Sequence, residues 1–502
     1  MFKARVLFGA VLILGLFSSI SAAEAQSSAR PEGLVCLEDF SKQTLEAHLG
    51  VTDEEKERGE VDRYGVSVTP QRAALLDQTA ELRHAVDFDK LRESAVEAFG
   101  LDLVAVTWSP DRGVQFRVTD QDRGSARAQP IATAFGLGDR FEVVEVPNAM
   151  SEADRKEVHK TLRNSKVLES LEDLGVTWIE TDELCGRIIF YTDKQNEGDV
   201  SRFLARAVGL AEGIEVKQRG PDQVGDLAAG RGVYTPSQSA GLEYDTSAVV
   251  GGCTSNVPWY RSTPSGLQFF AVTAAHCVDQ ATWATSPSQW NGIWWTTTTT
   301  SHINLSQGGV TIASANATIR FGAGLDVAIW PVNGNASTFL ARTLTNTSSY
   351  NPAFHNFGWW QWSPTWYTGT SGGDAIGDLV CQSGITQALR TPNSGQSILT
   401  CSALANRNLQ WAAAGPTGSP LGADQSWFYN LRKTGQVHQN VCEGDSGGAV
   451  WRGGWLSGVV HGGAIDSTSI QGRACWRELI YSHVGYIKQE ANFNLTAPAT
   501  FS

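Results

Sequence analysis

One serine in the chain has the neighbours that nucleophilic chemistry requires. Ser446 lies in the segment Cys442–Gly448, where glycines on both sides let the backbone bend so that N–H groups can converge on an oxyanion. A serine hydroxyl alone is a weak nucleophile and needs a base beside it. His276, which ends a run of small and apolar residues and precedes Cys277, is the candidate base.

The base in turn needs a carboxylate that orients it, and Asp326 is the candidate. It interrupts the apolar run Gly324–Trp330, which contains no cation. An ionised carboxylate is costly to bury unless hydrogen bonds offset the loss of water, and a histidine N–H would provide one. The competing acids lie among glycine, serine or glutamine and are expected in loops: Asp279, Asp374, Asp378, Asp424 and Asp466.

Each of these residues also has a purely structural interpretation. His276 could be a hydrogen-bonded core histidine, Asp326 a strand-end cap and Ser446 a turn serine. Their order along the chain is informative, because His, Asp, Ser is the order of the chymotrypsin arrangement and differs from the Ser, Asp, His order of α/β-hydrolases. Identity and order together favour a serine hydrolase.

The second part of the chain resembles the chymotrypsin-fold serine peptidases, and within them it is most similar to the bacterial alpha-lytic protease and streptogrisin group. The resemblance covers a signal, a long pro-region and a protease. The segments that carry it occur in the family's order: Gly241–Tyr244, Thr273–Cys277, Val380–Gly384, Gly444–Gly448 and Gly458–Gly463.

The resemblance implies a role for each residue. Ser446 would be the nucleophile, His276 the general acid and base, and Asp326 the group that orients the imidazole. The backbone N–H groups of Gly444 and Ser446 would form the oxyanion hole. The implied fold is all-β, with two six-stranded antiparallel β-barrels and a C-terminal helix from Glu478 to about residue 491, preceded by an α+β pro-region.

The primary specificity pocket of this fold would be lined by Asn440, Val441, Cys442 and the strand Val459–Gly463. Asn440 stands where a trypsin-like enzyme has aspartate, which disfavours cleavage after lysine or arginine, and we expect apolar or small side chains to be preferred. Gly462 and Gly463 should leave a backbone edge open for antiparallel pairing with substrate. His461 departs from the serine usual at its position, and it would either extend the hydrogen-bond network or alter the pocket.

A second departure concerns Asp445, the acid that precedes the nucleophile. In the family this acid is usually buried and paired, and in the alpha-lytic group an arginine often supplies the positive charge. Gln382 stands at that position here. The sequence therefore leaves the partner of Asp445 open.

Six of the eight cysteines lie in the second part, and by themselves they permit 15 pairings. The resemblance selects three pairs, and the two remaining cysteines pair by default within the first part. The expected pairs are Cys253–Cys277, Cys381–Cys401, Cys442–Cys475 and Cys36–Cys185. No cluster of histidine and cysteine has metal-ligand spacing, so we expect no metal and no cofactor.

Charge divides the chain near residue 235. The 502 residues carry a formal net charge of −13, yet residues 236–502 hold 11 Lys and Arg against 12 Asp and Glu, so their net charge is −1 and residues 1–235 carry −12. The second part also contains 15 of the 17 tryptophans, some in clusters around Trp290 and Trp360 that could form a binding platform or pack enlarged loops. An acidic balance disfavours nucleic-acid binding.

The first residues are typical of a secretory signal. Lys3 and Arg5 precede the apolar run Val6–Phe17, and small residues end at Ala25. A membrane anchor is the alternative, but the run is shorter than the ~20 residues that a bilayer core requires. We therefore expect secretion, with no membrane association after processing.

These observations predict a secreted, self-processing serine endopeptidase that is a monomer and acts on protein or peptide substrates. The expected organisation is a signal peptide (1–25), a pro-region (26–235) that aids folding and inhibits the enzyme, and a trypsin-like protease domain (236–502). A non-catalytic binding protein on the same fold is the alternative function. The first part could instead be a separate inhibitor or carrier domain with no role in folding.

Overall fold

The structure is a computed structural model of the full chain. It describes residues 34–63, 66–192, 195–209, 213–218, 225–226, 238–240, 243–246, 253–256, 259–278, 288–290, 295–299, 302–307, 310–322, 324–332, 339–346, 361–362, 369–370, 373–382, 384, 400–412, 427–452, 455–464, 468–470, 473–485 and 487. Among these residues, none of the helices has the length and apolar character needed to cross a membrane.

The helices of the described residues lie mainly in the first part of the chain. They are α1 (Leu37–Lys42), α2 (Leu45–His48), α3 (Asp53–Glu57), α4 (Pro70–Ala85), α5 (Phe88–Phe99), α6 (Gln121–Ala134), α7 (Glu152–Leu162), α8 (Ser165–Asp173) and α9 (Glu197–Val208). Residues 81–99, where apolar residues recur at helical spacing, fall in α4 and α5. The two helices are separate because Asp87 caps α5 by accepting a hydrogen bond from the Lys90 N–H.

The strands of the first part are β1 (Val61–Arg63), β2 (Val66–Val68), β3 (Leu103–Ser109), β4 (Gly113–Val118), β5 (Phe141–Glu145), β6 (Val176–Asp182), β7 (Arg187–Thr192), β8 (Ile214–Gln218) and β9 (Gly225–Asp226). Two similar units follow one another. In each unit a helix pair precedes an antiparallel hairpin, a helix and a parallel strand, which gives the sheet β3-β4-β5 in the first and β6-β7-β8 in the second.

The described residues of the second part are mostly in strands. They are β10 (Gln238–Ala240), β11 (Glu243–Thr246), β12 (Cys253–Thr254), β13 (Trp259–Thr263), β14 (Gly266–Thr273), β15 (Ser288–Trp290), β16 (Trp295–Thr298), β17 (Ile303–Gln307), β18 (Val310–Ala315), β19 (Thr318–Gly322), β20 (Leu325–Val332), β21 (Phe339–Asn346), β22 (Gln361–Trp362), β23 (Gly369–Thr370), β24 (Leu379–Gln382), β25 (Thr400–Ala412), β26 (Trp427–Cys442), β27 (Ala449–Arg452), β28 (Trp455–Ala464), β29 (Thr468–Ile470) and β30 (Arg473–His483). The all-β class predicted for this part is confirmed.

Six of these strands close into a barrel. The order is β24-β27-β28-β30-β26-β25, and β25 pairs back with β24 to complete the ring. The preceding strands form a six-stranded antiparallel sheet in the order β13-β14-β20-β19-β16-β15 and a four-stranded sheet in the order β12-β11-β17-β18. Within the described residues the pairing of these two sheets does not close a second barrel. The tryptophan clusters lie largely outside the described residues.

The helix predicted from Glu478 begins later than expected. Residues 478–483 belong to β30, and of the described residues that follow, 484, 485 and 487 have helical backbone. Residues 478–483 form a strand because the Glu478 side chain is fully buried and pairs with Lys433 Nζ on the neighbouring strand β26 at 3.2 Å. An ion pair between adjacent strands holds this segment in the barrel.

All eight cysteines form disulfides, in the pairs expected from the sequence. Within the second part these are Cys253–Cys277, Cys381–Cys401 and Cys442–Cys475, with sequence separations of 24, 20 and 33 residues. The fourth pair is Cys36–Cys185 in the first part. In the chain-entropy model, each shorter loop stabilises the fold by roughly 3–4 kcal/mol.

The two parts of the chain share one sheet and a common core. Strand β6 pairs antiparallel with β25, so Trp178 lies opposite Trp411 and their rings are 6.1 Å apart. The described residues from Val35 onward form one compact unit. The first part is therefore packed against the barrel rather than tethered to it.

Buried ion pairs also join the two parts. Arg83 of α4 binds both carboxylate oxygens of Asp378, and Arg452 also binds Oδ2 of this carboxylate, at 2.5 Å. Glu183 receives two hydrogen bonds from the Arg407 guanidinium. Asp374 and Asp378, which the sequence places in loops, do lie outside the strands, but both are buried and ion-paired.

The ion pair between Glu183 and Arg407 can be tested through the pH dependence of stability. Burial disfavours its charged form, but Arg407 and Arg155 outweigh burial and lower its pKa from 4.5 to about 2. Because the folded pKa lies below the unfolded one, the stabilisation is complete above about pH 5 and disappears as the pH falls toward 2. We expect Glu183→Gln to lower the free energy of unfolding by about 3–5 kcal/mol at pH 7, since it leaves Arg407 buried without its carboxylate.

Urea unfolding of the full chain from pH 3 to pH 7 measures this effect. The parent chain and each variant carry Ser446→Ala so that the expected self-cleavage does not occur during the measurement. Glu54→Gln, which alters an exposed pair with Arg58, is the matched control and should leave stability within about 0.5 kcal/mol. Equal stability of the Glu183 and Glu54 variants at pH 7 would contradict the buried pair.

Candidate active site

Two neighbouring strands, a turn and a loop bring the three candidate catalytic residues together. His276 lies in a 3₁₀ turn, Ala275–Cys277, directly after β14, and Asp326 is the second residue of β20. Strands β14 and β20 are neighbours in one sheet, with Thr273 opposite Ala328. Ser446 is in the loop between β26 and β27 of the barrel. The site therefore forms where the six-stranded sheet meets the barrel.

The three side chains form a continuous hydrogen-bonded line. The distance from His276 Nδ1 to Asp326 Oδ2 is 2.6 Å, and that from His276 Nε2 to Ser446 Oγ is 2.8 Å. The His276 backbone N–H also donates to Asp326 Oδ1 at 3.0 Å. An ionised carboxylate only accepts hydrogen bonds, so Nδ1 carries the proton and Nε2 of the neutral ring is free to accept one from the serine hydroxyl.

Asp326 stays ionised although it has no contact with solvent. Burial alone would raise its pKa, but His276 and His461 outweigh burial and hold the pKa well below its usual value. The carboxylate consequently remains negative across the whole range in which histidine titrates. It can orient the His276 ring and stabilise a positive charge that develops on it.

His461 extends this network, which decides between the two roles that the sequence left open. Its Nδ1 lies 2.6 Å from Asp326 Oδ2, the same oxygen that His276 contacts. The His461 ring is buried, and the Trp411 ring packs edge-on against it with centroids 5.2 Å apart. No local pattern indicates that Trp411 belongs to the site, because Trp411 reaches it through the pairing of distant strands.

The loop around Ser446 is held in a conformation that glycine favours. Gly444 has φ +105° and Gly447 has φ +86°, and a Cβ on Gly447 would lie 1.9 Å from Thr273 Oγ1. Within the part of the chain that the structure describes, the backbone N–H groups of Gly444 and Ser446 donate to no acceptor. These are the two groups expected to bind an oxyanion.

Asp445 and Gln382 are both buried beside this loop. Asp445 Oδ2 accepts a hydrogen bond from the Cys442 N–H at 2.9 Å, which ties the acid to its own loop. A Cβ on Gly384 would lie 1.9 Å from Asp445 Oδ1, so the glycine makes room for the carboxylate. The Cys442 N–H is thus one partner of an acid whose partner the sequence left open.

The structure also places the residues expected to line the specificity pocket. Val441 and His461 are buried, Cys442 is in its disulfide, and Asn440 Nδ2 donates to Thr468 Oγ1 at 3.1 Å. Strand β28 pairs on one side with β30. On its other side, Gly462 and Gly463 pair antiparallel with Asp226 and Gly225 of β9. A segment from the first part of the chain therefore occupies the backbone edge beside His461.

Two groups of side chains within the described residues have the spacing of metal ligands. The first group is Cys36, Asp182 and Cys185. Its two cysteines form a disulfide, so neither sulfur is available to bind a metal. The second is His276, Asp326 and His461, whose ligand atoms lie within 4.8 Å of one another. Both histidine Nδ1 atoms donate to the carboxylate, so hydrogen bonds account for this cluster.

The chain is similar over about half its length to solved bacterial proteases. The Cellulomonas bogoriensis chymotrypsin is 17% identical, with 52% of this chain and 100% of that chain covered and a TM-score of 0.29. The Nocardiopsis protease NAPase is 19% identical with a TM-score of 0.30, and the alpha-lytic protease homolog N4 is 14% identical with a TM-score of 0.30, at the same coverage. No protein-family model and no curated protein matches the chain.

The shared carboxylate predicts a tautomer that NMR can observe. In protein with ¹⁵N-labelled histidine, both His276 and His461 should be protonated at Nδ1 and give protons at low field, because each donates a short hydrogen bond to Asp326. His461→Ala should remove one of these signals and leave the other. His302→Ala, at an exposed position, should leave both. Protonation of His461 at Nε2 alone would contradict the network.

Proposed function

We propose that the chain is a secreted, self-processing serine endopeptidase with Ser446 as nucleophile. The observation that carries the proposal is the hydrogen-bonded line from Asp326 through His276 to Ser446, with distances of 2.6 and 2.8 Å. A nucleophile in contact with a base that a third group orients is the arrangement needed for nucleophilic catalysis. The protease-fold neighbours agree with a peptide substrate.

The chemistry follows from the protonation states of the site. His276 Nε2 would accept the hydroxyl proton as Ser446 Oγ attacks the scissile carbonyl carbon, and the same nitrogen would give that proton to the leaving amine. The product of this half-reaction is an acyl-enzyme ester on Ser446. A water molecule, deprotonated in turn by His276, would then release the acyl group.

Two further features would stabilise the charges that arise. The N–H groups of Gly444 and Ser446 would bind the oxyanion, and loss of one such donor typically lowers turnover by about 10²–10³. The carboxylate of Asp326 would stabilise the imidazolium. His461 would keep this carboxylate fixed, because it holds the oxygen that faces His276.

Residues 26–235 would act as a pro-region that inhibits the protease by occupying its substrate edge. Gly225 and Asp226 form an antiparallel pair with Gly463 and Gly462, which is the geometry in which a peptide adds to a sheet edge. This edge is one strand residue from His461 and close to Ser446. Cleavage within about residues 220–240 would free it.

Asn440 supports a preference for apolar or small side chains over lysine and arginine. The mature enzyme would act outside the cell. Four disulfides fit an oxidising compartment, where such bonds persist.

A fluorophosphonate probe tests the chemistry without knowledge of the substrate. We expect one equivalent to attach to Ser446 after the chain has been allowed to process itself, because the probe reacts with a serine that a base activates. Asp326→Asn should slow the reaction by roughly 10³–10⁴, since an amide N–H facing His276 favours the tautomer protonated at Nε2, which cannot accept the serine proton. Intact-mass spectrometry and peptide mapping measure the result.

Two variants serve as controls. Ser446→Ala should remain unlabelled, and Ser469→Ala, which alters an exposed strand residue, should be labelled at the normal rate. A folded wild-type chain that stays unlabelled would favour the non-catalytic binding protein over the enzyme.

A further inference from the structure

A cavity of about 390 Å³ lies between helix α7 and the hairpin β25–β26. Seven arginine and lysine side chains and two glutamates line it within the described residues. Helix α7 and the residue that follows it contribute four of the cations, Arg155, Lys156, Lys160 and Arg163. The hairpin contributes Arg407 and Arg432. The cavity is thus strongly cationic although the chain as a whole is acidic.

Two of these cations have no carboxylate partner among the described residues. Arg155 is 3% exposed, and its guanidinium donates to the carbonyl oxygens of Met150 and Val104. Arg163 donates only to Asn430 Oδ1, at 3.4 Å. The charges of Glu183 and Glu152 act on Arg155 at longer range, but neither carboxylate bonds to it, so its guanidinium lies in a cation-rich cavity where an anion would be stabilised.

The acids that face the cavity are engaged by other cations. Glu183 is held by two nitrogens of Arg407, and Glu152 pairs with Lys156 at 3.1 Å. Asp374 pairs with Arg432, which lines the cavity, and with His483. The two glutamates that line the cavity are outnumbered by its seven arginine and lysine side chains, so positive potential remains inside.

Two neighbouring groups respond to this potential. Burial, followed by the charges of Arg155 and Arg163, lowers the pKa of His159 to about 4. The neutral His159 ring lies between Thr181 and Gln410, at 2.8 and 2.9 Å. Burial, followed by the charge of Arg407, likewise lowers the pKa of Arg92 to about 10.

We propose that this cavity binds a small tetrahedral oxyanion, inorganic phosphate or sulfate, between helix α7 and the β25–β26 hairpin. Guanidinium groups match the geometry of such oxyanions and form charge-assisted hydrogen bonds with them. The wall on one side belongs to residues 92–183 and on the other to residues 407–432. A bound anion therefore stabilises the joined state of the two parts, because the site does not exist once they separate.

Isothermal titration calorimetry of the full Ser446→Ala chain with sodium phosphate, and separately with sodium sulfate, tests the site at constant ionic strength set with sodium chloride. We expect saturable binding with a Kd below roughly 1 mM. Arg163→Gln should weaken binding about tenfold, the loss of one charge-assisted contact. Arg202→Gln on α9, an exposed arginine paired with Asp199, should bind normally.

Arg163 is exposed and the substitution leaves the core intact, so circular dichroism should show unchanged folding of both variants. Absence of saturable binding to either anion would overturn the proposal, as would equal binding by the Arg163 and Arg202 variants. The measurement requires no catalysis, so its outcome is independent of the proposed protease activity.

Discussion

The buried carboxylate of Asp326 is the constraint on which the candidate site depends. It has no access to water, so its charge is stable only if hydrogen bonds replace hydration. His276 and His461 each provide a hydrogen bond to one carboxylate oxygen, and the His276 backbone N–H donates to the other. This requirement fixes the tautomer of His276, and the tautomer makes its other nitrogen available to Ser446. A single solvation requirement thereby connects two sheets, a turn and a loop.

The same principle governs the junction of the two parts of the chain. Buried acids there are paired with arginine across the boundary, as Asp378 is with Arg83 and Glu183 with Arg407. Such pairs are weak sources of net stability, but removing one partner is strongly destabilising. They act together with the shared core and the sheet that β6 extends. The first part therefore packs closely against the second.

Local motifs and the family resemblance together predicted which side chains the structure brings into contact and how the cysteines pair. The glycines around Ser446, the acid in an apolar run and the position of His276 reflect requirements of short segments, and the structure brings all three side chains into contact. The all-β class of the second part also follows from its short runs of β-forming residues. The Gly462–Gly463 edge was expected to receive an extended strand, and β9 lies there.

Long-range pairing accounts for what the sequence could not provide. Trp411 reaches His461 through the barrel, and Asp378 is buried because Arg83, 295 residues away, lies against it. Residues 478–483 have helical periodicity, yet the partnership of Glu478 with Lys433 holds them in a strand. The sequence also left open whether His461 extends the hydrogen-bond network or alters the pocket, because its contact depends on where Asp326 lies. Each case depends on a contact between distant residues, which no local pattern encodes.

The most direct test of the account is whether Ser446 cleaves its own chain. The full chain, purified folded at low concentration, should convert from 54.1 kDa to a fragment whose N-terminus lies within about residues 220–240, at a rate independent of dilution. The Ser446→Ala chain should remain intact under the same conditions. A wild-type chain that stays whole while folded, or a Ser446→Ala chain cut at the same site and rate, would contradict the account.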